Sequence, residues 1–572
     1  MKKRTAWVLA AGVAALALGA AAVGALALVV RGGGRPSVGW SGGAQYLSLD
    51  LSGEIPEEPA SGLSGLFETR PPSLRGLVEA VDRAAKDPDV KGLLLRVDSI
   101  DAGWARVGEL RDALLRFRRS GKPSWAHLEF AGNKEYYLAT GCAKIAAAPT
   151  AMLNVSGLAA EVTFFKGALD KLGVAAQFEG VGKYKNAPNQ FTETGFTEPH
   201  REQMEALVDS LFESYVGGVA EARGLPVDRV RRLVDEGPFD GPRAKAAGLV
   251  DELLYRDQVE GRAGGARRVT PSRYLKAVRG LTFDSRPKVA LVYAVGTIMP
   301  GESQSGPFGG GLVGSDTIIR GLRQAGQDDR MRAIVLRVDS PGGSGSASDA
   351  VWREVSLARR SKPVVVSMGD YAASGGYYIS MSADAIVAQP GTITGSIGVF
   401  SGKFSMRGLY AKLGISESAV QRGRFARLFS SSEPWDDEER ARVRSLNRAF
   451  YATFVTKAAE GRHRTPGEIE AVAQGRVWTG EEALHAGLVD ALGGLDTALS
   501  LARDKAHLPQ GQDLNLVVLP AHKGFFELLM ERQDDDVALR VPGLRAVALL
   551  RWAAALGGSG PIARLPFELA VR

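Results

Sequence analysis

Apolar and polar positions along this chain follow two rhythms, and each rhythm occurs twice. Short runs rich in β-branched residues, such as AIVLRV (Ala333–Val338) and KPVVVSM (Lys362–Met368), have the length and composition of buried strands. Between them lie stretches with helical spacing, such as SDAVWREVSLARR (Ser348–Arg360). Two longer amphipathic segments, Glu198–Gly224 and Asp436–Arg462, predict long helices at matching places. Strand and helix signals that alternate in this way predict an α/β fold with largely parallel sheets.

The patterns are also repeated letter by letter. GLLLRVDS (Gly92–Ser99) returns as AIVLRVDS (Ala333–Ser340), and SGKPSWAHLEF (Ser120–Phe130) returns as RSKPVVVSMGD (Arg360–Asp370). YYLATGCAKIAAAPTAMLNVSGL (Tyr136–Leu158) returns as YYISMSADAIVAQPGTITGSIGV (Tyr377–Val399), and RAKAAGLVDEL returns as GEEALHAGLVDAL. Four blocks in one order, about 241 residues apart, indicate a tandem duplication. The expected organisation is an N-terminal repeat over 46–256, a polar, basic connector over 257–286 and a C-terminal repeat over 287–512. Residues 513–572 leave the repeat, and GFFELLMERQ and RAVALLRWAAAL within them predict helices.

Ahead of the first repeat, Lys2, Lys3 and Arg4 precede an uncharged stretch from Ala6 to Val30. Its 25 residues are long enough to span a bilayer as a helix and longer than the apolar part of a cleaved signal. Residues 1–30 are therefore expected to be a cytoplasmic start and a retained transmembrane anchor, with 31–45 as a flexible linker. The basic start places the repeats outside the cytoplasm.

Composition narrows the chemistry. A net charge of +7 over 572 residues, with no concentrated basic stripe, does not point to nucleic acid. Cys142 is the only cysteine, which excludes an intramolecular disulfide framework and a cysteine-based zinc site. The six histidines are scattered, with no HExxH spacing, and neither a metal nor an organic cofactor is indicated. The Gly-rich GPFGGGLVGSD lacks the ending of a phosphate loop and reads as a mobile loop.

The differences between the copies are more informative. At the offset of about 241, Ser374 in AASGGYY stands opposite Asn133, and Lys185 in GKYKNA stands opposite Ala426. Ser396 in TGSIGV stands opposite Val155. Each copy holds a piece that the other has lost, as when one composite site is divided across a duplication. A serine hydroxyl needs a base before it attacks. A lysine serves only when neutral, and burial disfavours its ammonium form. Ser396 is placed to accept from that amine and orient it. Gly342 and Gly343 in SPGGSGSASDAV follow a strand and precede a helix, so their N–H groups, with that of Gly375, are candidates to hold an oxyanion. Lys183 is a rival base, but its counterpart is Arg424, and a charge kept in both copies suits a surface role. Asp98 and Asp339, in the repeated RVDS, read as braces of a strand end, and Cys142, opposite Ala383, as core.

Through GKYKNA, RVDSPGGS, AASGGYYIS and TGSIGVF the chain resembles the signal peptide peptidase A (protease IV) family of S49 serine peptidases, in its long duplicated form. The likeness runs from about Gln45 to Arg503. It implies Ser374 as nucleophile, Lys185 as general base and Ser396 as the serine supporting the lysine. It further implies tandem ClpP/crotonase-like domains in a membrane-anchored, bowl-shaped homotetramer that cuts leftover signal peptides in their apolar cores. Two other readings stand beside it: a crotonase-type acyl-CoA enzyme, which the Ser/Lys pair opposes, and an inactive scaffold that binds peptides.

Overall fold

The computed structural model describes residues 44–58, 72–278, 286–303, 311–521 and 562–564. The expected membrane anchor, the two tail helices and residues 306–310 of the Gly-rich stretch lie outside these residues. Among the described residues no helix is long and apolar enough to cross a membrane.

The first sheet has seven strands: β1 (Gln45–Glu54), β2 (Val90–Asp101), β3 (Ser124–Ala131), β4 (Lys144–Leu153), β6 (Phe239–Asp240), β7 (Glu252–Leu253) and β8 (Arg267–Val269). Their order is β6-β4-β3-β2-β1-β8, with β7 also on β4. All neighbours are parallel except β4 and β6.

The second sheet has eight strands: β9 (Lys288–Val295), β12 (Met331–Ser340), β14 (Val364–Ala373), β15 (Ala385–Ala388), β16 (Ile393–Gly395), β18 (Val477–Thr479), β19 (Ala491–Leu492) and β20 (Asn515–Leu519). Its order is β18-β16-β14-β12-β9-β20, with β15 and β19 continuing from β14. The shared succession β4-β3-β2-β1 and β16-β14-β12-β9 is the duplication seen in three dimensions.

Period-two alternation decides which side chains meet. Val364, Val366 and Met368 of β14 join Ile334, Leu336, Ala290 and Val292 on one face of the second sheet. Val365 instead joins Val335, Val289 and Leu291 on the other face, under Leu495, Ala498 and Ala502 of the helix Leu495–Lys505. Both faces are buried, so the strands read as continuous apolar runs rather than alternating ones. Cys142 is core, and burial pushes its thiol up to about 12.

Two expected boundaries differ from the structure. The stretch expected as a connector carries β8, which completes the first sheet beside β1, and the helix Pro271–Val278, whose Tyr274 and Leu275 enter the first core. Its polar composition reflects an edge position, where one side of the strand faces solvent. Likewise β20 lies in the expected extension, yet it pairs in parallel with β9.

A third sheet joins the repeats. It comprises β5 (Ala175–Val181), β10 (Thr297–Met299), β11 (Leu312–Gly314), β13 (Gly342–Ser344), β17 (Val399–Ser405) and β21 (Ile562–Arg564), in the order β11-β10-β13-β21-β17-β5. Here β5 of the first repeat lies antiparallel to β17 of the second, from Val181↔Val399 to Ala175↔Ser405. The helix Asp437–Gly461 clamps β5 in place. Its Arg440 and Arg444 pair with Glu179, and Asn447 donates to the Glu179 carbonyl oxygen.

Candidate active site

Ser374 sits at the junction between β14 and the short helix Gly375–Ser380. Its backbone has φ 56° and ψ −110°, a conformation that L residues adopt only at a cost of about 1–3 kcal/mol. Two backbone bonds hold it there: Ser374 N–H donates to the Gly395 carbonyl oxygen at 2.8 Å, and Tyr378 N–H donates to the Ser374 carbonyl oxygen at 2.8 Å. A side chain at Gly376 would lie 2.6 Å from the Ser340 carbonyl oxygen, so glycine is what lets this helix start approach the loop after β12.

Lys185 reaches the same point from the first repeat. It follows β5 through a turn in which Gly182 has φ 111°. Tyr184 N–H donates to the Gln474 carbonyl oxygen at 2.8 Å, which docks this turn onto the second repeat. Lys185 Nζ lies 2.8 Å from Ser374 Oγ, 2.9 Å from Ser396 Oγ and 3.2 Å from the Ser396 carbonyl oxygen. Ser396 also has positive φ, 53°, and its N–H donates to the Arg476 carbonyl oxygen at 2.7 Å. Ser374 and Ser396 are completely buried, and Lys185 is 6% exposed. Burial drives the Lys185 amine far below its ordinary value, because desolvation penalises the ammonium form. The structure thus brings together the three side chains singled out by comparing the copies.

The glycines divide. Gly342 N–H donates to Ser340 Oγ at 3.1 Å, so it is engaged within its own loop. Gly343, at φ 158°, lies in β13 and bridges to Ile298 of β10. Gly375 opens its helix, where an N–H has no intrahelical acceptor. The rival lysine, Lys183, is exposed and bonds to Tyr184 and Glu202, away from Ser374. Ser380 donates to the Gly376 carbonyl oxygen inside the helix. Asp339 does brace a strand end, accepting from Tyr371 N–H at 2.9 Å, whereas Asp98 is exposed.

Sequence reasoning missed the polar supports behind the site. The N-terminus of the helix Trp104–Arg119 in the first repeat caps Asp370, four residues before Ser374: Gly103 N–H donates at 2.8 Å and Arg106 N–H at 3.0 Å. The Arg106 guanidinium also pairs with Asp339 at 3.2 Å. Burial pushes the Asp339 carboxyl up to about 7 despite that partner. Deeper, Arg337 is held by Glu57 at 2.5 Å and Glu109 at 2.8 Å, and all three are buried. The signal for these groups was the same offset: Arg106 stands opposite Ala347 and Glu109 opposite Ala350.

Comparison with known proteins finds relatives over most of the chain. The model of peptidase family S49 matches residues 116–270 and 356–509. The chain is 35% identical over 489 residues to the chloroplastic serine protease SPPA of Arabidopsis thaliana, covering 83% of this chain and 71% of that one. It is 33% identical over 494 residues to Protease 4 of Salmonella typhi, covering 81% of this chain and 79% of that one. Among solved structures, a membrane-bound stomatin-specific protease is similar at 16% identity and a TM-score of 0.26, covering 41% of this chain and 99% of that one.

Proposed function

The chain belongs to peptidase family S49 and is a serine peptidase, and from that premise we propose that Ser374 and Lys185 are its nucleophile and general base. Membership of this family sets aside the acyl-CoA reading. The observation that carries the proposal is the 2.8 Å contact of Lys185 Nζ with Ser374 Oγ at full burial. A buried neutral amine has two N–H donors and one lone pair. The Ser396 carbonyl and hydroxyl oxygens take the two donors, and the lone pair is left to accept the Ser374 proton.

The reaction then follows from the groups present. Lys185 takes the proton as Ser374 Oγ attacks the scissile carbonyl. The N–H groups of Gly375 and Gly343 hold the oxyanion of the tetrahedral intermediate, with Gly342 shaping the loop. The Lys185 ammonium returns its proton to the leaving amine, and water repeats the cycle on the acyl-enzyme. A desolvated site favours this lysine, because its resting form is the neutral one.

The substrates we propose are extended apolar peptides at a membrane, signal peptides among them. The repeats would stand on the extracytoplasmic side of the inner membrane, anchored by residues 6–30, in a homotetramer. The uncharged N-terminal stretch and its basic start support the anchoring, and the family resemblance supports the substrate class and the assembly. The test is hydrolysis of apolar peptides by Ser374→Ala and Lys185→Ala in the full chain. Each is expected to lose activity at least a thousandfold while keeping its fold. Full activity in either would contradict the dyad.

A further inference from the structure

The strand that carries Ser374 is bulged just before it. Between the pairs Val338↔Met368 and Ser340↔Ala372, one residue of β12, Asp339, faces three of β14: Gly369, Asp370 and Tyr371. A bulge bends its strand and re-aims the side chains that follow. β14 then pairs with β16 from Tyr371↔Ile393 to Ala373↔Gly395 and ends beside Ser374. The shape of the bulge therefore sets the direction in which Ser374 leaves the sheet.

Three groups fix that shape. Two belong to the second repeat: Thr392 Oγ1 donates to the Gly369 carbonyl oxygen at 2.9 Å, and Tyr371 N–H donates to Asp339 at 2.9 Å. The third comes from the first repeat. The buried Asp370 carboxylate accepts from Gly103 N–H at 2.8 Å and Arg106 N–H at 3.0 Å, and pairs with the Arg106 guanidinium at 2.5 Å. A side chain at Gly103 would lie 2.2 Å from Asp370 Cγ, so glycine is what admits the carboxylate to this helix start. Arg106 is itself anchored in the first repeat, donating to the Ile55 carbonyl oxygen at 2.8 Å. The copies differ here as they do at the nucleophile. Opposite Asp370 stands Phe130, which is exposed, and opposite Arg106 stands Ala347. The copy that lacks the serine has no carboxylate at this place.

We propose that Asp370 is a positioning residue for the reaction: captured by the first repeat, it sets the bulge that aims Ser374 Oγ at Lys185. This rests on the reading of Ser374 and Lys185 as the dyad. The first repeat then acts on both partners, on the base by supplying it and on the nucleophile through Asp370. The two keep their alignment only while this contact between the repeats holds.

The experiment uses the full chain in detergent. Single-turnover acylation of Ser374 by a serine-directed acylating probe, and kcat and KM for an apolar reporter peptide, are measured for the wild type, Asp370→Ala, Asp370→Asn, Lys185→Ala and Asp496→Asn. Asp496 pairs with Arg116 of the same first-repeat helix at 2.8 Å, so its substitution loosens a contact between the repeats without touching the bulge. A misplacement of about 1 Å costs about a hundredfold in rate, and Asp370→Ala is expected to lose up to that factor in kcat and acylation. KM should stay within about twofold, and the midpoint of the pH profile should stay in place, because Lys185 and Ser396 are untouched. Asp370→Asn keeps the shape and one acceptor oxygen, so its rate should fall between alanine and wild type, and it carries the test should alanine fail to fold. Asp496→Asn should keep the wild-type kcat. A kcat within twofold of wild type in the Asp370 variants, with Lys185→Ala inactive, would overturn the proposal and leave the peptidase reading intact. A loss confined to KM, a moved pH midpoint or an equal loss in Asp496→Asn would also overturn it. Wild-type activity in Lys185→Ala would overturn both.

Discussion

Ser396→Ala isolates the hydroxyl that orients the base. The wild-type amine has acceptors at 2.9 Å and 3.2 Å, both from Ser396, and the Ser374 hydroxyl at 2.8 Å. Alanine removes the nearer acceptor and leaves one N–H of a buried amine without a partner. Leaving a buried donor unsatisfied costs about 1–3 kcal/mol. The amine recovers part of that by turning an N–H toward Ser374 Oγ, the opposite of what a base requires. At about 1.4 kcal/mol per factor of ten, the base-ready fraction falls about 5- to 150-fold. The acylation rate and kcat should fall by that factor. KM should stay within about twofold, because the hydroxyl faces the lysine rather than substrate. Alanine keeps the strain of φ 53°, so the loss belongs to the hydroxyl, and Ser396→Gly is the control that relieves the strain without restoring the acceptor. Single-turnover acylation of each variant checks this. A kcat for Ser396→Ala within twofold of wild type would refute the orienting role.

Three further outcomes follow from the buried charges. Lys185→Met should stabilise the fold, since the wild type buries a group that the unfolded chain keeps protonated. Between the depressed native value and the ordinary one near 10.5 the unfolded state binds the extra proton, so wild-type stability rises with pH by about 1.4 kcal/mol per unit relative to the variant. Denaturant titrations across that range check the slope. Arg337→Met should destabilise by about 3–5 kcal/mol, because it leaves Glu57 and Glu109 buried without their partner, and Arg337→Met with Glu57→Gln and Glu109→Gln should recover most of it. Asp339 is held up to about 7, above its unfolded value. Its contribution is present below about pH 4 and is lost as pH rises through 7, and Asp339→Asn should flatten that part of the stability profile.

That Ser374, Lys185 and Ser396 meet was legible because a duplication contains its own comparison. Ser374, Lys185 and Ser396 each stand opposite a residue that cannot replace them, and the same offset holds Arg106 against Ala347. Continuous apolar runs such as AIVLRV identified parallel strands, since both faces of the second sheet are covered. Local pattern could not show that β5 crosses to β17, because that pairing joins segments more than two hundred residues apart. Nor does any local signal announce the positive φ of Ser374 and Ser396, which is imposed by bonds to Gly395 and Arg476. The stretch over 257–286 read as a connector because β8 is an edge strand, and edge strands carry polar residues whether or not they complete a sheet.

The central claim is that a buried neutral Lys185 activates Ser374, and the pH dependence of Ser374 acylation tests it most directly. A serine-directed acylating probe, followed by mapping of the adduct, should label Ser374. The rate should rise along a single titration well below 10.5 and vanish in Lys185→Ala at every pH. An adduct on Ser396 or Ser380, or a rate in Lys185→Ala equal to that of the wild type, would contradict it.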